Sequence, residues 1–363
     1  MKINVKFFIL FHLSLLFICG CNKQSISLKY DDSIRIEDVE GYSRDMHIQN
    51  DTLFVVNEDE GLLIYKIVSD IGSNTISLIS FYSDTTFYSD TTHGQGKGWD
   101  LSGLLFSDKY NRIFILDKFS DTHYIDFTDS LNSNDLEYLY SGYNNEHQSK
   151  FTLNDQDEYL EIFSLIRNKS DFVTSNIVSI YKISWDEFGD PNGGLIIDSL
   201  NYAATDIHYM KNNLLVSNTS EIQNELRIYN RNNIDTPFRL DKTVVTQNIP
   251  NALYSAGDTL FVGMDDHGGV KVYNIDNPDY VEEITSLATG FSVKEIYWDP
   301  LYRWLLLSCG FQGVVVIELD ESMQEVETWV INTSYAYAAR NYMGNIIVAT
   351  RKGLEIITLN NNQ

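Results

Sequence analysis

The chain repeats one phrase with variations: an apolar strand, a short polar break, a second strand and a polar turn. DTLFVVNEDEGLLIYKIVSD begins at Asp51, NLLVSNTSEIQNELRIYNRNNIDTP at Asn213, DTLFVGMDDHGGVKVYNIDNP at Asp258, WLLLSCGFQGVVVIELDES at Trp304 and NIIVATRKGLEIITL at Asn345. A unit this small cannot bury its own apolar face, so its recurrence implies an array whose members pack on one another. The apolar runs are short and rich in Val, Ile, Tyr, Phe and Leu, and no long stretch shows helical spacing. The fold class is therefore all-β. The second strand of the unit begins near Gly61, Asp121, Asn176, Glu225, Gly269, Gly313 and Gly353, and the step shortens from 60 residues to 40 along the chain. A period of about 40 to 45 residues is the size of one four-stranded propeller blade.

Seven such units fill the chain, with six or eight as the alternatives. They trace to residues 42–83, 98–141, 158–200, 203–245, 248–287, 292–330 and 335–359. The last has room for three strands only. SISLKY at residues 25–30 is an isolated strand-like run, and it is expected to supply the missing outer strand. Pairing the two ends of the chain in one blade would close the ring and remove edges that invite aggregation. Extra residues fall between units one and two, where FYSDTT occurs at Phe81 and again at Phe87 ahead of HGQGKG from His93. They also fall at 143–157, a polar segment carrying NNEHQ. Such insertions on a rigid scaffold are places where binding occurs, or are tolerated slack.

The amino-terminal stretch reads as an export signal. Lys2 and Lys6 supply the positive end, Phe7 to Ile18 an apolar run too short to span a bilayer comfortably, and Ile18-Cys19-Gly20-Cys21 the close. These last four residues resemble a bacterial lipobox. The resemblance implies a signal peptide over 1–20, an acylated Cys21, a short tether over 21–24 and one propeller domain over 25–363. Two or three acyl chains, at about 0.8 kcal/mol per buried methylene, would hold such a protein stably to a membrane. Asn22 in place of an aspartate favours the outer membrane under the enterobacterial sorting rule, with the cell surface as the other location. The chain carries 26 basic against 51 acidic residues, net −25, and no basic stripe interrupts the acids. A polyanion of this kind excludes nucleic acid as a partner. Once Cys19 is removed and Cys21 acylated, Cys309 has no disulfide partner and zinc no thiolate cluster. Its setting in LLLSCGF suits a small core residue.

GLLIYKI at Gly61, GVKVYNIDNP at Gly269 and GVVVIELDES at Gly313 resemble the LVIVD repeat, and IYNRNNIDTP ending at Pro237 is a looser copy. The likeness weakens in units two and three, where the glycine before the second strand is absent. It implies a secreted or surface β-propeller and names no substrate. An acid recurs eight to ten residues before the first apolar strand: Asp45 before Leu53, Asp206 before Leu214 and Glu295 before Leu305. Asp100 before Ile113 and Glu161 before Phe172 follow more loosely, and Ala252 and Ala338 stand there in units five and seven. In the repeat family this acid belongs to the strand nearest the axis. The resemblance thus implies carboxylates at a central tunnel, either accepting backbone N–H bonds at blade junctions or converging on a cation such as calcium.

Other chemistry is thin. His47 and His208 each follow an acid by two residues and share its strand face, an arrangement that common descent of the repeats already explains. Gly94-Gln95-Gly96-Lys97-Gly98 lacks the Walker spacing, a following Ser or Thr, and a helical pattern behind it. Asp265-Asp266-His267-Gly268-Gly269 reads as a hairpin turn, not a calcium loop. No Ser-His-Asp set has a local signature, so no catalytic residue and no cofactor other than calcium is indicated. Trp185, Trp298, Trp304 and Trp329 lie in or beside strands and suit packing. Trp99 and His93, next to the longest insertion, are the candidate surface contacts. The sequence therefore points to an exported, lipid-anchored, monomeric propeller serving as a non-catalytic platform for an envelope protein or glycan. The competing expectation is a hydrolase or lyase acting on carbohydrate or peptide at the propeller mouth, with Asp100 or His93 in its site.

Overall fold

Short runs of β-branched and aromatic residues bounded by Asn, Asp and Gly become strands because their side chains fit a pleated, two-sided apolar environment. The computed structural model describes residues 31–36, 41–58, 61–69, 76–84, 101–107, 109, 112–117, 122–126, 136–139, 146–154, 160–168, 176–185, 191–202, 204–219, 223–231, 237–277 and 280–358. Every regular element among them is a strand.

The first, β1 (Asp31–Ile36), precedes a sheet of β2 (Ser43–Gln49), β3 (Thr52–Asn57), β4 (Gly61–Ser69) and β5 (Ile76–Asp84). The second sheet is β6 (Leu101–Ser107), β7 (Arg112–Asp117), β8 (Thr122–Asp126) and β9 (Leu136–Leu139). The third is β10 (Glu146–Asn154), β11 (Leu160–Asn168), β12 (Asn176–Trp185) and β13 (Pro191–Tyr202). The fourth is β14 (Ala204–Met210), β15 (Asn213–Thr219), β16 (Asn224–Asn230) and β17 (Arg239–Thr246). The fifth is β18 (Pro250–Ala256), β19 (Thr259–Met264), β20 (Gly269–Asn274) and β21 (Glu282–Leu287). The sixth is β22 (Glu295–Asp299), β23 (Trp304–Ser308), β24 (Val314–Leu319) and β25 (Glu325–Ile331). Each of these sheets is antiparallel, with strands neighbouring in chain order.

The last sheet departs from that order. It contains β26 (Ala336–Tyr342), β27 (Asn345–Thr350) and β28 (Gly353–Thr358), and its fourth strand is β1, giving the order β1-β28-β27-β26. Ile34 stands opposite Ile356 and Ile36 opposite Leu354. The expectation that 25–30 supplies this strand falls outside the described residues, and 31–36 make the pairing instead. A second correction concerns the third unit. Its first strand is β10, inside the segment 143–157 taken as an insertion, so the expected start at 158 is one strand late.

Burial follows position within a sheet. Where burial is described, the second and third strands are mostly buried on both faces, as in Leu53 to Asn57, Trp304 to Ser308 and Val314 to Ile317, whereas fourth strands such as β17 and β21 are largely exposed. The core lies between neighbouring sheets. Met46, Leu53, Val55 and Tyr65 pack on Ala338, Tyr342, Ile347 and Ile356, joining the first and last sheets. Trp304, Leu306, Val316 and Trp329 pack on Ala339, Ile346, Val348 and Ile357, joining the sixth and last. Cys309 lies in the cluster shared by the fifth and sixth sheets, free and buried, and burial pushes its thiol up to about 12. First strands also touch in succession: β2 with β6, β6 with β10, β10 with β14, β14 with β18, β18 with β22, β22 with β26 and β26 with β2.

Candidate functional site

Six of the seven first strands, β2, β6, β10, β14, β18 and β26, share a register shift near their start. A bulge of this kind re-aims the side chain that follows it. The residues after the shift are Asp45, Gly103, Lys150, Asp206, Ala252 and Ala338, and β22 begins at the equivalent place with Glu295. Two residues further along, on the same strand face, stand His47, Leu105, Thr152, His208, Tyr254, Tyr297 and Arg340. These two tiers form a polar belt on the mutually touching strands.

Register corrects two of the expected acids. Gly103 occupies the belt position given to Asp100, which lies outside the described residues. Lys150 occupies the position given to Glu161, whose backbone sits on the second strand β11, opposite Asn154 and Lys182. Trp99, His93 and Cys21 also lie outside the described residues.

Asp45 and Asp206 do the same job in different sheets. Asp45 Oδ1 accepts from the Met46 N–H at 2.8 Å, and its Oδ2 accepts from Leu104 N–H of the next sheet at 3.0 Å. Asp206 Oδ1 accepts from the Ile207 N–H at 2.9 Å, and its Oδ2 accepts from Leu253 N–H of the next sheet at 2.8 Å. A hydrogen bond to a charged acceptor is worth about 1.5–3 kcal/mol, so each aspartate rivets its sheet to the following one. Burial raises both carboxyls above the usual range; Arg340 opposes the rise at Asp45 and Lys150 opposes it at Asp206.

Glu295 uses a side chain where the aspartates use backbone. Arg340 Nη1, on the next sheet, donates to its Oε1 at 2.6 Å, and Ser308 Oγ donates to Oε2 at 3.2 Å. Arg340 Nη2 also donates to Asp45 Oδ1 at 3.3 Å, and the guanidinium lies over the Tyr297 ring at 4.8 Å. One arginine of the last sheet thus links the sixth and the first. Burial lifts the Glu295 carboxyl, with Arg340 acting against it. Burial also disfavours the charge on Arg340, but Glu295 and Asp45 outweigh that and hold its pKa above the ordinary value. Lys150 adds positive field at all three acids.

The two histidines serve junctions as well. His47 stacks on Phe106 of the next sheet at 4.9 Å. His208 Nε2 is hydrogen-bonded to Ser255 Oγ at 2.8 Å, and burial holds its pKa down at about 4, so the ring is neutral. Calcium needs six to eight oxygen ligands. Asp45, Asp206 and Glu295 instead turn their oxygens to N–H groups, a hydroxyl and a guanidinium, and among the described residues no group of three or more His, Cys, Asp and Glu can hold a metal. In the 265–269 turn, Asp265 accepts from Lys294 Nζ at 2.6 Å and from the Asp266 N–H at 3.0 Å. Trp298, Trp304 and Trp329 are buried.

Sequence reasoning found Asp45, Asp206 and Glu295 but missed Lys150 and Arg340. Their signal was a basic residue in the repeat column where other units carry an acid, or in the column holding His47 and His208.

No protein-family model matches the chain, and no curated protein sequence matches it. Solved structures of similar fold include a chain of a mitotic checkpoint complex, with TM-score 0.60 and 10% identity over 94% of each chain. The WD40 β-propeller domain of Doa1 aligns with TM-score 0.54 and 12% identity, over 92% of this chain and 96% of that one. The computationally designed Ika8 protein aligns at TM-score 0.56 and 11% identity, over 89% of this chain and 97% of the other. At such identities the likeness concerns fold alone, and the fold is a β-propeller.

Proposed function

We propose that the chain is a seven-bladed propeller of the LVIVD-repeat kind. In this reading it is exported, held by an acylated Cys21 to the outer membrane or cell surface, and acts as a non-catalytic platform for an envelope partner. The carrying observation is how the inner polar side chains are used: Asp45, Asp206, Glu295 and Arg340 spend their bonding capacity joining one sheet to the next. An enzyme of the hydrolase type would instead need an acid left free to meet substrate. Seven four-stranded sheets, the β1–β28 pair and the contact between β26 and β2 support the closed ring.

Crosslinking the full-length protein in its native membranes, followed by identification of the partner, tests this reading. The expected result is a defined envelope partner whose capture is lost when Cys21→Ala releases the protein from the membrane. Turnover of a glycan or peptide by the purified protein, with no partner recovered, would overturn it.

A further inference from the structure

One rim of the molecule carries a cation in an aromatic nest. The turn between β23 and β24 is tied to the start of β26, because Ala336 N–H donates to the Gly310 carbonyl at 2.9 Å and Gly310 N–H to the Ala336 carbonyl at 3.2 Å. Gly310 has φ +58°, a conformation that favours glycine, and a Cβ there would stand 3.1 Å from the Tyr335 ring, so glycine lets that ring lie close on the turn. Phe311, 72% exposed, then meets Tyr335 edge-on at 4.7 Å, and Tyr335 meets Tyr337 at 4.6 Å. Arg351, from the β27–β28 turn, lies over Tyr335 at 4.3 Å and Phe311 at 4.9 Å, and its Nε donates to the Tyr337 hydroxyl at 3.2 Å. Tyr42, at the start of the first sheet, completes the nest 6.4 Å from Tyr337.

Arg44 also stacks on Tyr42 and Tyr337, but Glu58 neutralises it. Arg351 has no such partner: among the described residues no carboxylate pairs with it, although acids outnumber bases 51 to 26 in the chain. Its Nε is committed to Tyr337, which leaves the two-pronged Nη edge for a ligand. A guanidinium already oriented by stacked rings loses little freedom when it grips a carboxylate.

We propose that this nest of Phe311, Tyr335, Tyr337, Tyr42 and Arg351 docks an acidic segment of a partner protein. A carboxylate pairs with Arg351 and an adjacent apolar side chain rests on Phe311. Charge selects the acid, and Tyr with Arg is the composition of protein-binding hot spots. A glycan fits less well, because Phe311 and Tyr335 meet at 88° and the guanidinium covers Tyr335, leaving no broad flat face for a sugar. The inference rests on the platform reading, and the two fail differently.

A library of random peptides selected on the purified full-length protein supplies the probe. The selected pool is expected to be enriched in Asp and Glu beside apolar residues. Its best peptide should bind about tenfold more weakly to Arg351→Gln and to Phe311→Ala, with no change for Leu301→Ser, a residue 85% exposed on the β22–β23 turn at the opposite ends of the strands. Replacing the peptide's acids by amides should weaken binding to the parent protein and leave binding to Arg351→Gln unchanged. Peptides without acids, indifference to both rim substitutions, or polygalacturonate binding that depends on Arg351 where peptides show none would overturn the proposal. A native partner crosslinked from Leu301 and not from position 311 would remove this nest while sparing the platform; no partner from either position would remove both.

Discussion

Arg340 is gripped by carboxylates from two sheets besides its own, and all three groups are largely withdrawn from water. Taking away one member of a buried ion network leaves the others uncompensated, at a cost of about 3–5 kcal/mol. Arg340→Met is therefore expected to lower stability by about that much in denaturant titration, and adding Glu295→Gln with Asp45→Asn should restore part of it. Arg340→Lys should fall between, since a single ammonium cannot fork to both acids. Equal stability of Arg340→Met and the parent would show that the network does not hold the sheets together. His208 makes a prediction with a sign. Its folded pKa of about 4 lies below the unfolded 6.5, so the unfolded chain binds the proton first. Its contribution is complete above pH 6.5 and is lost as pH falls toward 4, a change of about 3 kcal/mol. Asp206, lifted by burial, acts oppositely: the folded chain keeps a proton that the unfolded chain has released, so stability declines as pH rises from 3.8. The readout is accordingly a difference: the slope of stability between pH 6.5 and 4 should be less positive in His208→Gln than in the parent. Spacing revealed Asp45, Asp206 and Glu295 because those units carry an acid eight to ten residues before the first apolar strand. It failed at Asp100 and Glu161, because the residues at that spacing, Gly103 ten before Ile113 and Lys150 ten before Leu160, are not acids and only register identifies them.

At the scale of the element, the glycine that opens the third strand of a sheet has a geometric duty. Gly313 sits at φ +79°, and a Cβ there would run into the Ile331 carbonyl oxygen of the neighbouring fourth strand. An L-residue held in that region costs about 1–3 kcal/mol before any clash is counted. Gly313→Ala is expected to lose at least that much, and β25, the most exposed strand of its sheet, should lose hydrogen-exchange protection first, since its pairing with β24 must shift. Uniform loss of protection across the molecule would instead place the effect on global stability alone. The second and third strands were legible because both faces are buried and runs such as LFVV, LLLS and IIVA stand out. β10, EHQSKFTLN, was taken for a loop: a first strand meets its neighbours through polar belt positions, so hydrophobicity does not announce it. β1, DDSIRI, escaped for a related reason, since an outermost strand is chosen by register against its partner and less by apolar content.

At the scale of the whole molecule, the charge and the edges act together. A chain with net charge −25 repels its own copies, but that repulsion is screened beyond about 8–10 Å in physiological salt and cannot protect a bare strand edge at contact. The edge at risk is β28, whose residues 353–357 are buried and whose outer side is covered by β1. Because β1 starts ten residues after Cys21, a lipid anchor there would leave at most about 35 Å of chain between membrane and sheet. The same short segment would then both tether the body and close it, so pulling on the anchor loads the β1–β28 pair. A protein shortened to begin at Gly41 should lose that pair. It is expected to melt at a lower temperature and to associate in a concentration-dependent way by sedimentation velocity. A synthetic Asp31–Ile36 peptide should suppress the association by occupying the vacated edge, as in strand-addition complexes. A shortened chain that stays monomeric and melts with the parent would mean that β27 and β26 hold β28 without help, and that the fold draws its stability from sheet-to-sheet packing and not from the β1–β28 pair.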